Sequence, residues 1–553
     1  MKTVVVGGVA GGMSAATRLR RLEESMEIVV FERGRYVSFA NCGLPYYVGG
    51  VIESRDSLLL QTPESLASRF ALDVRVEHEV TSIDSARKIV HVTDLNSGTS
   101  HEESYDFLVL AGGATASRID TTSDVPSYTL RSVDDVDHIT ETLATTLERQ
   151  AYAVVVGAGF IGLEAVENLI GRGIRVTLVQ RGAHVLSPLD QEMAAPLRAA
   201  LRQHGVDVRT GTTVISAADG FVLLDDGSRV RADLVIEASG VSPEVSLARN
   251  AGLAIGPTGG IAVDLQQRTS DQAIFAVGDG VEKIDAIDQG PTLVTMAGLA
   301  NRHGRAAADA IAGHPDAAWP ALGTSIVGVF DLTIAMVGWS EKRLIAASRP
   351  HRVIHTHPAS HATYYPGADT MALKLLVDPD DDSILGAQIV GGAGVDKRID
   401  VIATAMAGGL SASSLAHLEL AYAPQYGSAK DAVNMAGYVA DNLATGMARS
   451  VQWHQLDTEL DHGAVLVDVR TADEFEAGFI PGAVNVPLDE LRGCHTELAG
   501  YPLIVHCQVG QRGHTATRLL TQLGHDVKNL DGGYKTWLAG MSTRDRDRES
   551  ILV

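Results

Sequence analysis

The same local plan is written twice in this chain. Residues 2 to 33 read strand, glycine turn, helix, strand in "KTVVVGG", "VAGGMSAATRLRRL" and "EIVVFERG"; residues 152 to 181 repeat it in "YAVVVGAGFIGLEAVENLIGRGIRVTLVQRG". An apolar strand running into a glycine turn and then a helix starts a βαβ unit, which commits the chain to parallel sheet. In the second copy Gly157, Gly159 and Gly162 stand at a spacing with three separate uses. The first makes the tight turn, the second lets backbone approach a pyrophosphate, and the third lets helix pack on strand. Phosphates then meet a helix N-terminus, whose free N–H groups favour anions. The first copy is degenerate: Gly7 and Gly12 remain, but Val9 replaces the middle glycine. Glu32 closes its second strand, where a carboxylate can accept from a ribose hydroxyl or simply end the strand with charge. Two such starts predict two nucleotide-binding units.

The length of 553 residues suits three or four domains. Between the two copies, "DVRVEHEVTSID", "KIVHVTDL" and "DFLVLAGG" alternate like a β-meander returning to the first sheet. "IFAVGDG" then ends a buried strand with Asp279 at its tip, ahead of the Ala-rich helical stretch "LVTMAGLANRHGRAAADAIAG". Residues 324–445 change to strands followed by two helices, a separate α+β domain. The polar stretch "GMARSVQWHQ" reads as a linker, and a compact αβ unit fills about residues 451–553.

The formal net charge of −23 repels nucleic acid and anionic membranes, so an anionic ligand must be held by local Arg and Lys or by helix ends. The start "MKTVVVGG" reads as a strand rather than a signal peptide, and no apolar run is long enough to span a bilayer. Only three cysteines occur, Cys42, Cys494 and Cys507, which fits a reducing cytoplasm. No metal-ligand spacing stands out.

Cys42 lies in "VSFANCGLPYYVGG" with no second cysteine nearby; five positions on stands Tyr47. It acts singly, as a thiolate that forms a mixed disulfide, a persulfide or a sulfenic acid.

Two nested nucleotide folds resemble the pyridine-nucleotide–disulfide oxidoreductases over about residues 1–445. "SFANCGLPY" resembles the active-site segment of the coenzyme A disulfide reductases within that family. The resemblance implies an α/β chain with two nested Rossmann-like domains: FAD-binding at 1–115 and 240–323, NAD(P)H-binding at 116–239. A dimerisation domain would follow at 324–445. It implies FAD held by Gly7, Gly8, Gly12, Glu32, Arg33, Gly112 and Asp279, and NAD(P)H as co-substrate held by Gly157, Gly159, Gly162 and Gln180. The choice between NADH and NADPH stays open: Gln180 is neutral, and Arg181 could meet a 2′-phosphate or face water. The resemblance further implies a coenzyme A channel lined by Ser14, Arg18, Arg21, Ser38, Asn41 and Asn301. Arg18, Arg20 and Arg21 could instead form an ordinary solvated face. In "ATYYPGA" and "LAYAPQYGSAKD", Tyr364 and Tyr422 align with tyrosines that reach the reactive sulfur from the other subunit, and Lys430 with a coenzyme A contact, so a homodimer is implied.

"VLVDVRTADEFEAGFIPGAVNVPL" with "IVHCQVGQRGHTA" resembles a rhodanese domain, assigned to 446–553. Cys507 ends a strand, and the loop "CQVGQRG" precedes a helix. Loop N–H groups there can cradle an anion, an environment that lowers a thiol's pKa and steadies a persulfide. Arg512 adds charge, or braces the loop through Asp468 or Asp473. Cys494 has no motif around it. Persulfide chemistry beside a coenzyme A thiol channel resembles the persulfide reductases with a fused rhodanese domain. The implied activity is NAD(P)H-driven, FAD-dependent reduction of coenzyme A persulfide, polysulfide and coenzyme A disulfide. The rivals are an NADH oxidase or peroxidase, disfavoured because Ala10 stands where those enzymes usually carry His, and a flavin-linked sulfur carrier or sensor.

Overall fold

The computed structural model describes residues 1–119, 124–146, 150–314 and 317–549, with side chains to residue 542. Residues 120–123, 147–149, 315, 316 and 550–553, within the ranges 116–239, 240–323 and 446–553, lie outside the described residues. The chain forms two compact units, one of residues 1–183 and 205–323, the other of 184–204 and 324–553.

The first unit holds two parallel sheets. One runs Ile274–Ala276, Phe107–Leu110, Lys2–Val6, Glu27–Glu32, Asp73–Val76 in that order. Its central strands are mostly apolar because both faces are covered. Val5, Val30, Val109 and Phe275 pack with the helices Ala10–Leu22 and Ala297–Ile311. Val4, Val29, Phe31 and Leu108 meet Val80, Val90 and Val92 on the other face. Those valines belong to a separate antiparallel meander, His78–Asp84, Ile89–Asp94 and Ser100–Ser104. The stretch "DVRVEHEVTSID" is therefore split: Asp73–Val76 joins the parallel sheet, and Glu77, at φ +55°, turns the rest into the meander. The second parallel sheet runs Asp207–Thr210, Arg175–Gln180, Tyr152–Val156, Leu234–Glu237, Ser127–Tyr128, with the helix Phe160–Gly171 after its glycine turn.

The second unit joins an antiparallel sheet to a parallel one. The antiparallel sheet runs Ser325–Val329, Leu332–Gly338, Ile384–Gly391, Met371–Val377, Arg352–Thr356, and the helices Val395–Ala407 and Ala432–Ala444 follow it. The segment 184–204, inside the sequence range 116–239, packs here: the Gln388 amide oxygen accepts from the Asp190 N–H at 3.0 Å. The C-terminal parallel sheet runs Ser450–Val451, Val527–Leu530, Leu503–His506, Val465–Asp468, Val484–Asn485. The expected linker is thus shorter than "GMARSVQWHQ". Ser450–Val451 pairs with Asn529 and Leu530 in the sheet, and Trp453 is buried in the short helical turn Trp453–Gln455 that follows.

The helices Ala10–Leu22 and Ala297–Ile311 touch through glycine. A Cβ on Gly304 would overlap the Gly11 carbonyl oxygen and sit 3.0 Å from Ser14 Cβ. Gly304→Val should cost about 1–3 kcal/mol by overpacking and lower the melting temperature by a few degrees. Gly298→Ala, whose Cβ would meet nothing within 4 Å, should not. Thermal melts of the two variants compare them directly.

Candidate active sites

In the first unit the glycine turns are as cramped as their proposed use requires. Gly157 (φ +102°) and Gly7 (φ +104°) take left-handed backbone, and a Cβ on either would overlap the carbonyl of Ala238 or Ala111. A Cβ on Gly162 or Gly12 would overlap the Gly157 or Gly7 carbonyl. Over Gly159 nothing lies within 4 Å of a Cβ position, which leaves that backbone open to a diphosphate. Val9 takes the middle place of the first turn, at the N-cap of the helix. Glu32 accepts from the Gly8 and Gly34 N–H groups, both at 2.7 Å, so its carboxylate is fixed at the strand end. Gly112 is exposed beside the Gly7 turn; Arg33 is exposed and faces Glu79 at 3.6 Å.

Asp279 follows Gly278 (φ +87°) and is largely buried. Burial pushes its carboxyl up, against the pull of Arg131 at 3.9 Å and of Lys283. The Lys283 ammonium donates to the Gly278 and Val281 carbonyls at 2.7 Å, and burial lowers it to about 8. His303 is 3% exposed and lowered to about 4 by burial, then by Lys283 and Arg302; its Nδ1 has no hydrogen-bond partner. A glycine cradle, a carboxylate at a strand tip and an orphaned buried imidazole nitrogen fit a bound dinucleotide such as FAD. In the second fold, Gln180 ends its strand and its Oε1 accepts from the Ala158 N–H at 3.0 Å, steadying the glycine turn; Arg181 beside it is exposed.

Cys42 is exposed, in the turn Asn41–Gly43 that leads into the helix Leu44–Gly49. The turn is anchored on the nucleotide fold: the Ser38 N–H donates to the Gly8 carbonyl at 2.9 Å with Ser38 at φ +45°. The helix after Cys42 docks on the helix Phe160–Gly171. A Cβ on Gly49 would overlap Asn168 Oδ1, and the Tyr46 hydroxyl donates to Glu164 at 3.3 Å. Burial, then the charges of Glu164 and Asp279, push the Cys42 thiol up. Burial also raises Glu164, and burial with Glu164 raises Tyr46 to about 12. Burial first, and then the negative charges of Glu164 and Asp279, work against the thiolate expected from sequence. Tyr46 and Glu164 were not singled out in the sequence; the only signal was the acid two places after Gly162 in "GAGFIGLE".

Of the residues expected to meet coenzyme A, Ser14, Arg18 and Asn301 lie where the helices Ala10–Leu22 and Ala297–Ile311 meet. Ser14 Oγ donates to Asn301 Oδ1 at 2.7 Å, and Arg18 Nε to Asp309 at 2.7 Å. Arg21 is exposed, donates to the Thr17 carbonyl at 2.9 Å and lies over the Phe70 ring. Asn41 is exposed beside Cys42. Arg20 leaves this row: it is buried and donates to the Phe70 and Ala71 carbonyls, so the three arginines are not one solvated face.

In the second unit, Tyr364 and Tyr422 are 74% and 50% exposed with their hydroxyls 2.9 Å apart. Their loops are tied by the Ala362 N–H to the Gly427 carbonyl. Lys430 is exposed, just before Asp431, which pairs with the buried Arg398 at 2.7 Å.

Cys507 is fully buried at the end of the strand Leu503–His506. The following helix starts at Gln511, inside the expected loop, with Gly510 (φ +92°) as its N-cap. Arg512 donates both terminal nitrogens to Glu474 at 2.7 Å and also interacts with the Cys507 sulfur. The brace is thus Glu474 rather than Asp468 or Asp473. Asp468 is taken by Arg470 at 2.7 Å, and Glu474 is held by the cap of its own short helix. Arg470, also missed, donates to Gln508 in the loop and to the Gly478 carbonyl; "VDVR" was its signal. Cys494 is half-buried and donates to the Glu490 carbonyl at 3.4 Å.

Among the described residues no helix is long and apolar enough to cross a membrane. The pyridine nucleotide-disulphide oxidoreductase model matches residues 1–299, its dimerisation-domain model 324–433, and the rhodanese-like domain model 452–540. Coenzyme A disulfide reductase of Staphylococcus epidermidis is 35% identical over 440 residues, covering 79% of this chain and 99% of its own. Reduced CoADR-RHD of Bacillus anthracis superposes with a TM-score of 0.96 at 44% identity over 98% of each chain. A NAD-dependent persulfide reductase from A. fulgidus does so at 0.90 and 35%, over 97% of this chain and 100% of its own.

Thiol alkylation follows the thiolate, and a raised thiol holds less of it at a given pH. Alkylation of Cys42 by iodoacetamide should still be rising at pH 9. Glu164→Gln removes one of the two negative charges and should bring the titration down and speed alkylation at pH 8. Peptide mass spectrometry reads the site; a slower variant would contradict the electrostatic assignment.

Proposed function

The chain belongs to the pyridine nucleotide-disulphide oxidoreductase family, and on that premise we propose that it is an FAD-dependent NAD(P)H reductase of coenzyme A persulfide, polysulfide and coenzyme A disulfide. The observation that carries this reading is a single exposed thiol, Cys42, anchored to the first nucleotide turn through Ser38 and Gly8 with no partner cysteine beside it. FAD, when bound, supplies two-electron transfer between nicotinamide and sulfur. Gly7, Gly8, Gly12, Glu32, Arg33, Gly112 and Asp279 would hold it, and Gly157, Gly159, Gly162 and Gln180 the nicotinamide nucleotide.

The thiol step belongs to Cys42. Its S–H bond and the substrate S–S bond break, a bond from Cys42 to one substrate sulfur forms, and the leaving thiolate takes up a proton. Coenzyme A carries a diphosphate and a 3′-phosphate, which suits the row of Ser14, Arg18, Arg21 and Asn301, with Ser38 and Asn41 near the thiol. In the homodimer, Tyr364, Tyr422 and Lys430 would serve the partner's thiol. Two exposed rings with paired hydroxyls in the segment matched by the dimerisation-domain model support this. A phenol that donates to the leaving sulfur lowers its basicity. Cys507 would take up sulfane sulfur, with Arg512 beside it. Three free cysteines in a long chain fit a reducing cytoplasm.

Cys42→Ser should retain flavin and abolish reduction of every sulfur substrate. Cys507→Ser should spare coenzyme A disulfide and impair polysulfide. Steady-state NAD(P)H oxidation with each substrate tests both; turnover by Cys42→Ser with coenzyme A persulfide would overturn the reading.

Among the described residues Arg21, unlike Arg18, has no carboxylate partner within ion-pair distance and can turn to a phosphate. Arg21→Ala should raise KM for coenzyme A persulfide about tenfold to a hundredfold, the value of a charge-assisted hydrogen bond, but leave glutathione persulfide unaffected. The difference should shrink at high salt. Tyr422→Phe should instead lower kcat with little change in KM.

A further inference from the structure

Behind Cys507 lies a buried ionic cluster that the proposed chemistry does not use. We infer that His355 and Asp531 position Cys507: their ion pair ties the antiparallel sheet to the turn at 531 and 532 and the first residues of the helix Gly533–Glu549, whose backbone donors hold the sulfur-bearing strand end. This rests on the reading of Cys507 as a sulfane-sulfur acceptor.

The path can be followed bond by bond. His355, at the penultimate position of the strand Arg352–Thr356, is 5% exposed. Its backbone N–H and its Nδ1 reach Asp531 Oδ2 at 2.9 and 2.8 Å, and its Nε2 reaches Glu192 Oε1 at 3.1 Å. With a carboxylate on each ring nitrogen, both nitrogens donate and the ring is an imidazolium. Burial, the largest influence, opposes that charge, yet Asp531 and Glu192 together raise the ring to about 9. Glu192 is fixed in turn by the fully buried Lys374 ammonium at 2.5 Å, which also meets Glu341 at 2.6 Å and Asp190 at 2.9 Å. The three carboxylates, close enough together to hold a metal ion, thus surround an ammonium. The Gln452 amide donates to the same Asp531 oxygen at 3.1 Å. The remaining titratable neighbours are His357, lowered to about 3 by burial, then by Lys535 and His355, and Lys535 itself, lowered by burial.

On the other side of Asp531 come Gly532 (φ +65°) and Gly533 (φ +63°). A Cβ on Gly532 would sit 2.9 Å from His355 Cβ, and one on Gly533 would overlap the Cys507 carbonyl oxygen. The Tyr534 N–H donates to that Cys507 carbonyl at 2.8 Å, and the Lys535 N–H to the Gln508 carbonyl at 3.0 Å. A displacement of Asp531 is therefore passed, through two glycines packed against their neighbours, to the peptide that carries the sulfur.

The test uses full-length holoprotein and thiosulfate as the sulfur donor. The Cys507 thiol loses its proton, its sulfur forms a bond to the outer sulfur of thiosulfate as the donor S–S bond breaks, and sulfite leaves, taking up that proton. Thiocyanate released by cyanide counts the loaded persulfide. His355→Gln and Asp531→Asn should slow loading about tenfold to a hundredfold, the scale of a small misplacement of a reacting group. Reduction of coenzyme A disulfide at Cys42 should stay at the wild-type rate. Because the folded imidazolium is raised, its contribution is complete below about pH 6.5 and lost as pH rises through about 9. The wild-type advantage over His355→Gln should therefore vanish above pH 9. Equal loading at pH 7, or a deficit unchanged between pH 7 and pH 10, overturns the inference. Undiminished loading of Cys507→Ser overturns the reading of Cys507 instead. Should both variants fail to fold, amide exchange of the wild-type protein decides: protection of residues 532–536 should drop above pH 9 relative to the strand 503–506, and unchanged relative protection refutes the coupling.

Discussion

A dinucleotide can reach a helix N-terminus only where the turn ahead of the helix has no side chains in its way. That steric constraint organises the first unit. Gly7 and Gly12, and again Gly157 and Gly162, bring strand, turn and helix so close that a single Cβ would overlap a backbone carbonyl. The remaining features lean on these turns. Glu32 is clamped to the Gly8 N–H, the Cys42 segment hangs from the Gly8 carbonyl through Ser38, and the helix 297–311 crosses at Gly304 against Gly11. The sulfur is thus placed by backbone contacts within a few residues of the nucleotide turn, which requires no second cysteine to hold it.

The second unit is organised by charge. Lys374 is wholly buried among Asp190, Glu192 and Glu341, and Arg398 is buried against Asp431. Removing one partner from such a group strands an uncompensated charge, which is far more damaging than the net value of the pairing. Each cluster joins segments distant in sequence. The first draws the excursion 184–204 onto the antiparallel sheet, and the second fastens the helix Val395–Ala407 to the cap of Ala432–Ala444.

Much of this was legible in the sequence where geometry is local. The glycine turns, the strand ends at Glu32 and Gln180, and the helix row of Ser14, Arg18 and Arg21 depend on spacing along one element. What spacing could not show was which partner each charge takes. Arg20 reads like its neighbours Arg18 and Arg21, yet its position on the helix turns it toward the carbonyls of Phe70 and Ala71. Arg512 reads as a brace for one of two aspartates, but Arg470 had already claimed Asp468. Glu164 and His355 became visible only once elements more than a hundred residues apart were packed together. The protonation of Cys42 was likewise beyond spacing, because it depends on burial and on Glu164 and Asp279 reaching it from other segments.

The crossing of the helix after Cys42 with the helix after Gly159 bears on how this protein can vary. Position 49 has no side chain, and position 168 fills the space with an amide that donates to the Glu164 carbonyl at 2.8 Å. A larger residue at 49 is tolerable only where 168 has shrunk, and a smaller residue at 168 leaves the space over Gly49 unfilled. The two positions therefore behave as one inherited choice. Among divergent relatives they should change together or not at all, however freely the sequence between them drifts.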